Sequence, residues 1–417
     1  MKVLHIITGL GVGGAERQLR LLLRHLTADC EVVTLTNPGP LADAIREDGV
    51  PVTHLGMRGN RDLSALPRLT SLIRSGRYDL VHTHLYRACV YGRPAARLAG
   101  VRAVVATEHS LGATQIEGRP LSFGTRALYR ATERLGKGTL AVSPTVAHRL
   151  DEWGVPSPRV HLVPNGVEPS HLRFDPAVRA ETRDRLGIPR DAFVVGGVGR
   201  QVPGKNFDTL IRAVAGSPDT HLLLVGDGPE RFGLLRLIHQ LRLASRVHLT
   251  EGEVPGLLAA MDLFVSLSTE EAFGVAVVEA LAAGLPALYT ACPAVEDLAS
   301  EEAPGARRIT REELAAVLRE ERLAGPRRLP VPAAVERYDI ARTAERVMAL
   351  YAQATERRRW FRRTPAASAA GASAGALPAA RDAQQNGAVP APAAPSASAS
   401  VAAQATGPAA SAAPAEK

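Results

Sequence analysis

Short apolar runs alternate with longer amphipathic stretches along residues 1–165. The apolar runs have the length of buried strands, and the amphipathic stretches repeat their apolar positions with the period of a helix. This alternation is typical of a parallel sheet covered by helices on both faces. The predicted strands are Val3–Ile7, Glu31–Thr36, Leu80–Thr83, Ala103–Thr107, Gly138–Val142 and Val160–Val163. The predicted helices are Ala15–Leu26, Leu41–Asp48, Leu66–Arg74, Tyr86–Leu98, Phe123–Leu135 and Pro144–Trp153.

A second series with the same alternation follows residues 168–190. Its predicted strands are Phe193–Val198, His221–Val225, Val247–Thr250, Leu263–Leu267 and Ala287–Thr290. Its predicted helices are Phe207–Ala215, Glu230–Leu243, Pro255–Ala260, Val275–Ala283 and Arg311–Glu320. We therefore expect an α/β chain of two doubly wound domains, at 1–168 and 190–335. A long helix is predicted at 338–360, and the Ala/Pro/Ser-rich tail at 364–417 is expected to be disordered.

Net charge and cysteine content place only weak limits on the protein's partners and compartment. The formal net charge is +8, and half of that excess lies in 356–363, where five Arg stand against one Glu. Arginine beside aromatic residues suits an anionic membrane surface, but a solvated helix end explains the segment equally well. The three cysteines form no CxxC pair, which indicates a reducing cytosol and no zinc site.

Two carboxylates flank a predicted helix start. Glu271 lies in the loop before the helix, and Glu279 is placed about two turns inside it. The N–H groups of Gly274, Val275 and Ala276 have no intrahelical partner and can face an anion. Phosphate and sugar hydroxyls are the ligands that this combination fits.

A basic loop follows the first strand of the second series. Arg200 and Lys205 lie five positions apart in Gly199-Arg200-Gln201-Val202-Pro203-Gly204-Lys205. The planar fork of Arg and the point charge of Lys can converge on a diphosphate. Two solvated surface charges would explain the loop equally well, although Lys205 is one of only four lysines in the chain.

A glycine-rich turn, Gly9-Leu10-Gly11-Val12-Gly13-Gly14, matches the pattern of a dinucleotide site. That site also needs an acid about 20 residues further on to hold the ribose. The second strand instead ends in Thr36-Asn37-Pro38, without a carboxylate. The turn therefore indicates close approach of a ligand to the backbone more than a nicotinamide or flavin site.

Three histidines follow or end strands of the first series. His109 comes just after a strand, where it can reach a ligand hydroxyl or be a partly buried structural residue. His82 and His84 have i, i+2 spacing and therefore share one face of their strand. No acidic or cysteine set completes a metal site there, so we expect none.

Five motifs occur in the order found in family 4 glycosyltransferases, which residues 1–355 resemble. The motifs are Gly13-Gly14-Ala15-Glu16, Val163-Pro164-Asn165-Gly166-Val167, Gly199-Arg200…Lys205-Asn206, Val225-Gly226-Asp227-Gly228-Pro229 and Glu271-Ala272-Phe273-Gly274…Glu279-Ala280…Gly284-Leu285-Pro286. The resemblance implies two facing Rossmann-like domains, the GT-B arrangement. It also implies that the second domain binds a nucleotide-sugar donor and the first an acceptor. The family's reaction retains the anomeric configuration and needs no metal or other cofactor.

The resemblance also implies roles for individual residues. Arg200 and Lys205 correspond to the pair that neutralises the donor diphosphate. Glu271 corresponds to the carboxylate on the transferred sugar, and Glu279 to the acid on the ribose. His109 resembles the histidine that contacts the donor sugar near the reacting centre. With Glu271, Arg200 and Lys205, it completes the candidate catalytic set.

Further donor contacts are implied for two loops. Phe273, Gly274 and Val275 line the sugar and phosphate, and Gly13 and Gly14 close near the phosphates. The sequence departs from the family after the predicted strand Ala287–Thr290, where Cys292-Pro293 replaces the usual Gly-Gly pair. This departure puts the sugar preference in doubt more than the activity.

The expected function is transfer of a sugar from a UDP- or GDP-sugar to a saccharide or lipid-linked saccharide, in cell-surface polysaccharide or glycolipid synthesis. The protein is expected to be cytoplasmic, with peripheral membrane contact through 357–363 left open and no nucleic-acid partner. The alternatives are a nucleotide-sugar epimerase of the same fold, a non-catalytic sugar-nucleotide-binding or scaffold protein and, more distantly, a nicotinamide dehydrogenase.

Overall fold

The computed structural model describes residues 1–59, 61–112, 115–117 and 119–356. The arginine-rich segment 357–363 and the predicted tail at 364–417 lie outside these residues. The described chain contains two large parallel sheets, which confirms the α/β class and the two-sheet organisation.

The first sheet has seven parallel strands in the order β3-β2-β1-β4-β5-β8-β9. The strands of this half are β1 (Lys2–Gly9), β2 (Asp29–Asn37), β3 (Val52–His54), β4 (Leu80–His84), β5 (Val104–Glu108), β6 (Gln115–Ile116), β7 (Arg119–Pro120), β8 (Gly138–Ala141) and β9 (Val160–Leu162). The helices are α1 (Gly14–His25), α2 (Leu41–Glu47), α3 (Ala65–Gly76), α4 (Tyr86–Leu98), α5 (Phe123–Glu133) and α6 (Pro144–Glu152). Strands β6 and β7 form a separate antiparallel pair.

The second sheet has six parallel strands in the order β12-β11-β10-β13-β14-β15. Its strands are β10 (Phe193–Val198), β11 (Thr220–Val225), β12 (Val247–Thr250), β13 (Leu263–Ser266), β14 (Ala287–Tyr289) and β15 (Ala306–Arg308). The helices of this half are α7 (Pro169–Leu172), α8 (Pro176–Leu186), α9 (Phe207–Ala215), α10 (Arg231–Gln240), α11 (Val254–Ala260), α12 (Val275–Ala282), α13 (Pro293–Glu296), α14 (Leu314–Ala324) and α15 (Ala333–Arg337). The last helix of the described chain is α16 (Ile340–Glu356).

Three helices begin at residues whose side chains cap the helix N-terminus. Ser122 and Ser143 cap α5 and α6, and their hydroxyls accept from backbone N–H groups at 3.1 and 3.2 Å. Asp175 caps α8 in the same way at 2.7 Å, and Pro176 occupies the first helical position. Capping of this kind satisfies donors that the helix itself leaves free.

Helix α16 lies against the first half of the chain. The Ile340 N–H donates to the Val167 carbonyl at 2.8 Å, just before the helix begins to run along α1. Near its end, the Tyr351 hydroxyl pairs with His82 Nδ1 at 2.6 Å. The helix expected at 338–360 thus begins at Ile340 and is described as far as Glu356.

In each sheet the chain first adds strands on one side of the first strand and then continues on its other side. The strand order therefore reverses at one point. In the first sheet this point lies between β1 and β4, and in the second between β10 and β13. Ligands of open parallel sheets bind at the carboxyl ends of the strands beside such a point. The loops after β1, β10 and β13 carry the glycine-rich, basic and acidic motifs, so the topology brings the chemistry to these edges.

Some short or polar elements were not predicted from the sequence pattern. Strand β15 has three residues, two of them exposed arginines, so no apolar run marks it. Helix α8 is polar nearly all round and sits in the segment expected to separate the domains. None of the described helices is long and apolar enough to cross a bilayer.

Candidate functional site

The loops after β10 and β13 are tied to each other. The Asn206 side-chain amide donates to the Leu267 carbonyl at 2.7 Å, and the Thr269 N–H donates to the Gly204 carbonyl at 2.9 Å. Asn206 adopts a left-handed conformation with φ of 52°, which Asn tolerates better than most residues. The basic loop is therefore held against the acidic loop by hydrogen bonds that do not use the charged groups.

Lys205 and Glu271 form an ion pair across these loops. Their side chains are 25% and 18% exposed, so the pair is neither fully buried nor freely solvated. The structure thus brings together two of the residues expected to bind the donor. In the structure each one neutralises the other.

A glycine turn after β11 supports the loop that carries Arg200. A Cβ on Gly226 would collide with the Gly199 carbonyl oxygen, and one on Gly228 with that of Gln201. The Gln201 N–H donates to the Asp227 carbonyl at 2.8 Å, and its side-chain amide donates to the Gly226 carbonyl at 2.6 Å. The glycines therefore allow a close backbone contact that holds exposed Arg200 in place.

Helix α12 begins directly after Gly274, which has φ of 95°. A Cβ on Gly274 would collide with the Cys292 thiol, which also lies 3.6 Å from the Phe273 carbonyl oxygen. Cys292 thus occupies the space behind the helix start, at the position where this chain departs from the family pattern. The first N–H groups of α12, including that of Val275, have no partner within the helix.

Phe273 does not offer its ring to a ligand in this structure. The side chain is only 3% exposed and meets the Tyr338 ring edge-on, with 5.0 Å between the ring centroids. The Tyr338 hydroxyl donates in turn to the Ala294 carbonyl at 2.6 Å. Phe273 therefore anchors the acidic loop, and only its backbone can line the site.

Glu279 lies nearer the start of α12 than the sequence suggested. The helix begins at Val275, so Glu279 is about one turn inside it rather than two. The predicted helix also began at Val275, so the error lay in the count of turns and not in the position of the helix. Burial raises the pKa of Glu279 to about 7, and the positive charge of Arg17 acts in the opposite direction.

Helix α1 faces the second sheet with two charged residues. Burial raises the pKa of Glu16, and the positive charge of Arg200 opposes that effect. The Glu16 carboxylate folds back over Gly13, where a Cβ would collide with it, whereas Gly14 faces open space. Glu16 and Arg17 were not predicted as site residues, although Glu16 belongs to a quoted motif.

His109 belongs to a chain of imidazole rings. His5 Nδ1 lies 3.0 Å from His84 Nε2, and His84 Nδ1 lies 3.2 Å from His109 Nε2. Burial lowers the pKa of His109 to about 4, while Asn165 acts against it. The remaining nitrogen, Nδ1, is itself buried and makes no hydrogen bond that meets standard geometry within the described residues. Of the two ring nitrogens, Nε2 is therefore the one already engaged, by His84.

His5, His82 and His84 also lie close enough to be considered as metal ligands, with one nitrogen of each within 4.8 Å of the others. Five of their six ring nitrogens, however, already take part in hydrogen bonds, since His82 pairs with Tyr351 and with Thr107 at 2.7 Å. A metal ion would have to break several of these bonds. The donor set fits a hydrogen-bonded core better than a metal centre, and the expectation of no metal stays a prediction.

The structure therefore brings one group of predicted site residues together and leaves His109 separate from it. Lys205, Glu271 and the α12 terminus with Glu279 surround one sheet edge, and Arg200 lies in the loop beside them. Within the described residues, no hydrogen bond or ion pair joins His109 to that group. His5 was missed as a partner because only the register of β1 against β4 places it beside His82.

Comparison with known families agrees with this architecture. Residues 12–171 match the family described as Glycosyltransferase Family 4, and residues 178–317 match Glycosyl transferases group 1. The two matched regions contain the whole second sheet and, apart from β1, the first sheet.

Curated relatives cover most of the described chain. A UDP-Gal:alpha-D-GlcNAc-diphosphoundecaprenol alpha-1,3-galactosyltransferase from Escherichia coli is 31% identical over 278 residues, which are 60% of this chain and 69% of that protein. A GDP-mannose-dependent alpha-mannosyltransferase from Mycobacterium tuberculosis is 31% identical over 313 residues, which are 70% of this chain and 79% of that protein.

Solved structures share the fold. The crystal structure of Anabaena Alr3699/HepE in complex with UDP-glucose superposes with a TM-score of 0.71 at 24% identity, covering 85% of this chain and all of that one. At that identity the likeness bears on the fold alone, and it supports the GT-B arrangement. From the matched families and relatives together, the chain belongs to the family 4 glycosyltransferases, as a glycosyltransferase of group 1 type that uses nucleotide sugars.

Proposed function

We propose that the protein transfers a hexose from a UDP- or GDP-linked donor to a hydroxyl group of a saccharide or lipid-linked saccharide, with retention of configuration and without a divalent metal. The observation that carries the proposal is the group at the carboxyl ends of β10 and β13. There Arg200, Lys205 and the α12 terminus supply positive charge beside Glu271 and Glu279.

The charges suit a departing nucleoside diphosphate. Breaking the glycosidic bond leaves negative charge on the diphosphate, and preorganised cations and N–H groups stabilise such charge as it develops. Lys205 and Arg200 lie in one loop, and α12 presents its first N–H groups from the next. These groups do the work that a metal ion performs in other transferases.

The carboxylates suit binding better than covalent catalysis. Glu271 is neutralised by Lys205, and burial raises the pKa of Glu279 to about 7. We assign Glu271 to the transferred sugar and Glu279 to the ribose hydroxyls, and we assign the leaving phosphate as the base for the incoming hydroxyl. The sugar in the transition state then carries positive charge, which Glu271 and the phosphate balance.

The names of the two relatives support the substrate class. One acts on a lipid-diphosphate-linked sugar with UDP-Gal, and the other depends on GDP-mannose. We place this chain in cell-surface polysaccharide or glycolipid synthesis on that basis, working on the cytoplasmic side of a membrane. The membrane contact expected through 357–363 remains part of this proposal, because those residues lie outside the described ones.

The test is a screen of UDP- and GDP-sugars with purified protein, with and without candidate acceptors. Release of UDP or GDP that depends on an acceptor supports transfer. Interconversion of free nucleotide sugars without acceptor would show an epimerase, and tight binding without turnover across the acceptor panel would show a binding protein.

Two further measurements test the finer claims. The anomeric proton coupling in the product reports retention or inversion. Activity should survive EDTA unchanged, and a strict requirement for added Mg²⁺ or Mn²⁺ would overturn the metal-independent assignment of Arg200 and Lys205.

A further inference from the structure

Arg149 on α6 contacts two loops at once, one from each half of the chain. Its Nη1 group donates to the Leu111 carbonyl, and its Nη2 group forms an ion pair with the Glu270 carboxylate. The side chains of Arg149 and Glu270 are 15% and 37% exposed, so the arginine is the more buried partner. A planar guanidinium presents its donors in fixed directions, and one arginine can therefore hold two acceptors in a fixed relation to each other.

The two loops that Arg149 connects carry predicted site residues. Leu111 lies two positions after His109, in the loop after β5, and Glu270 directly precedes Glu271 in the acidic loop after β13. The Leu111 side chain is buried, so the carbonyl that accepts from Arg149 belongs to a packed segment. Arg149 thus links one edge of the first sheet to one edge of the second.

Helix α6 packs in the first half and gives Arg149 a firm support. The Ser143 hydroxyl caps the start of the helix, and Val146 and Leu150 are fully buried. Arg149 follows Val146 by three positions, so the two side chains lie on neighbouring parts of one helix face. The guanidinium therefore reaches the second half from a helix that cannot turn without losing its buried contacts.

The acidic loop is fastened to the second half by the residues on either side of Glu270. The Thr269 N–H donates to the Gly204 carbonyl at 2.9 Å, and Glu271 forms its ion pair with Lys205. Glu270 lies between them and pairs with Arg149 of the first half. Three successive residues therefore hold the loop from both halves of the chain.

An ordinary surface ion pair would have little effect on the protein, because exposed pairs gain little over solvated charges. The Arg149–Glu270 pair differs in two ways. Its arginine is largely removed from solvent and also donates to a backbone carbonyl, and charge-assisted hydrogen bonds are stronger than those between neutral groups. Its partners also belong to different halves of the chain, so loss of the pair should alter the arrangement of the halves more than the fold of either one.

We propose that Arg149 is a positioning residue, which holds the acidic loop, and with it the second half, in a fixed place against the loop after β5. The hydrogen bond to Leu111 fixes one side of this contact, and the ion pair with Glu270 fixes the other. The effect on sugar transfer rests on the proposed function, whereas the arrangement of the two halves is measured without any substrate.

The first experiment measures that arrangement in the full-length protein. Spin labels are attached to L98C and L323C, because Leu98 and Leu323 are 59% and 84% exposed and lie in different halves. The three native cysteines are buried, so they should not compete for the label. Pulsed electron paramagnetic resonance then gives the distribution of distances between the two labels.

We expect R149Q and E270Q each to broaden this distribution, and the charge exchange R149E/E270R to narrow it again relative to R149E alone. The matched control is R307Q, which breaks the exposed ion pair of Arg307 with Glu320 inside the second half and should leave the distribution unchanged. A wild-type distribution in both R149Q and E270Q would overturn the proposal.

The second experiment measures turnover and nucleotide binding separately. R149Q should lower kcat roughly tenfold to 100-fold, because a misplacement of about 1 Å between reacting groups has an effect of that size. The Kd for UDP or GDP should stay close to that of the wild type, since Arg200, Lys205 and α12 remain in place. This split separates a positioning residue from a residue that binds the donor.

The charge exchange R149E/E270R should recover part of the kcat that R149E loses. Recovery should be incomplete, because a carboxylate at position 149 cannot donate to the Leu111 carbonyl. Wild-type kcat in R149Q, or no recovery in the exchange variant, would contradict the positioning role. If the wild type transferred no sugar while R149Q still broadened the distance distribution, the proposed function would fail and the contact between the halves would stand.

Discussion

The two sheets offer ligands opposite kinds of chemistry at their carboxyl ends. Beside β10 and β13, charged groups are partly exposed and paired with each other, as in the Lys205–Glu271 ion pair. Beside β1, β4 and β5, the polar groups are buried, neutral imidazoles joined in a chain through His84. The first arrangement suits a ligand that carries its own charge, because a diphosphate can replace Glu271 as the partner of Lys205.

The histidines of the first sheet are uncharged, in contrast to the ion pair of the second sheet. Burial lowers the pKa of His5 to about 3 and that of His109 to about 4, so both rings are neutral at pH 7. A neutral imidazole has one hydrogen-bond donor and one acceptor, so it can orient a hydroxyl group. It carries no charge that would attract a phosphate. Under the proposed function, the charged edge of the second sheet would hold the leaving diphosphate, and the neutral edge of the first sheet would face uncharged hydroxyls.

The largest effect is expected from Lys205→Ala, which removes charge from the second sheet. Loss of one preorganised group that stabilises developing charge lowers kcat/KM by about 100- to 1,000-fold. Lys137→Ala, in the exposed part of the first half, is the matched loss of a lysine and should leave kcat/KM unchanged. Equal kcat/KM for the two variants would remove Lys205 from the site.

The first sheet should respond to acid instead. His5 has a folded pKa of about 3 against an ordinary 6.5, so unfolding takes up a proton between these values and stability falls as pH drops below about 6.5. His5→Gln should reduce the slope of the unfolding free energy by about 1.4 kcal/mol per pH unit between pH 4 and 6. Exposed His148→Gln is the control, and an identical slope in all three proteins would contradict the buried neutral ring.

Glu279 should show the opposite dependence on pH. Its folded pKa of about 7 lies above the ordinary value of 4.5, so the folded state keeps a proton that the unfolded state releases in that window. Stability is therefore lost as pH rises from 4.5 to 7. Glu279→Gln should recover about 3 kcal/mol at pH 8 and nothing at pH 4, as measured by urea unfolding. Exposed Glu301→Gln should show no such change, and a flat difference for Glu279→Gln would rule out the raised pKa.

The smallest effect concerns the backbone of the second site. Gly274→Ala places a Cβ at φ of 95° against the Cys292 thiol and should cost about 1–3 kcal/mol of stability, seen as a lower thermal midpoint. Gly204→Ala, where a Cβ meets nothing within 4 Å, is the control. Adding Cys292→Ala to Gly274→Ala should recover only part of the loss, because the strained φ remains; full recovery would show that the thiol contact alone matters.

The sequence revealed the two sheets and most of their elements because buried strands and amphipathic helices have distinct periods. It also paired His82 with His84 correctly on one face, where their ring centroids lie 4.1 Å apart. It could not reveal His5, which lies in an apolar run and meets His82 only through strand register. Long-range register leaves no mark in a local pattern.

The site residues also divide into those that the sequence pattern reveals and those whose role depends on the fold. Arg200, Lys205, Glu271 and Glu279 stood out because loops rich in charge and glycine follow strands. The buried state of the Phe273 ring and the position of Cys292 behind Gly274 depend on packing between distant segments. The family pattern placed Phe273 beside the ligand, and the contact with Tyr338 shows that its ring packs inside the protein, which leaves its backbone to line the site.

The central claim is that charges of the second sheet hold the diphosphate of the donor. Calorimetric titration with UDP, GDP, uridine and guanosine measures it directly, as the gain in affinity that the diphosphate adds to its nucleoside. The account predicts a large gain in the wild type and in Lys137→Ala, a gain reduced at least tenfold in Lys205→Ala and in Arg200→Gln, and no change on adding EDTA. An unchanged diphosphate gain in both site variants would contradict it.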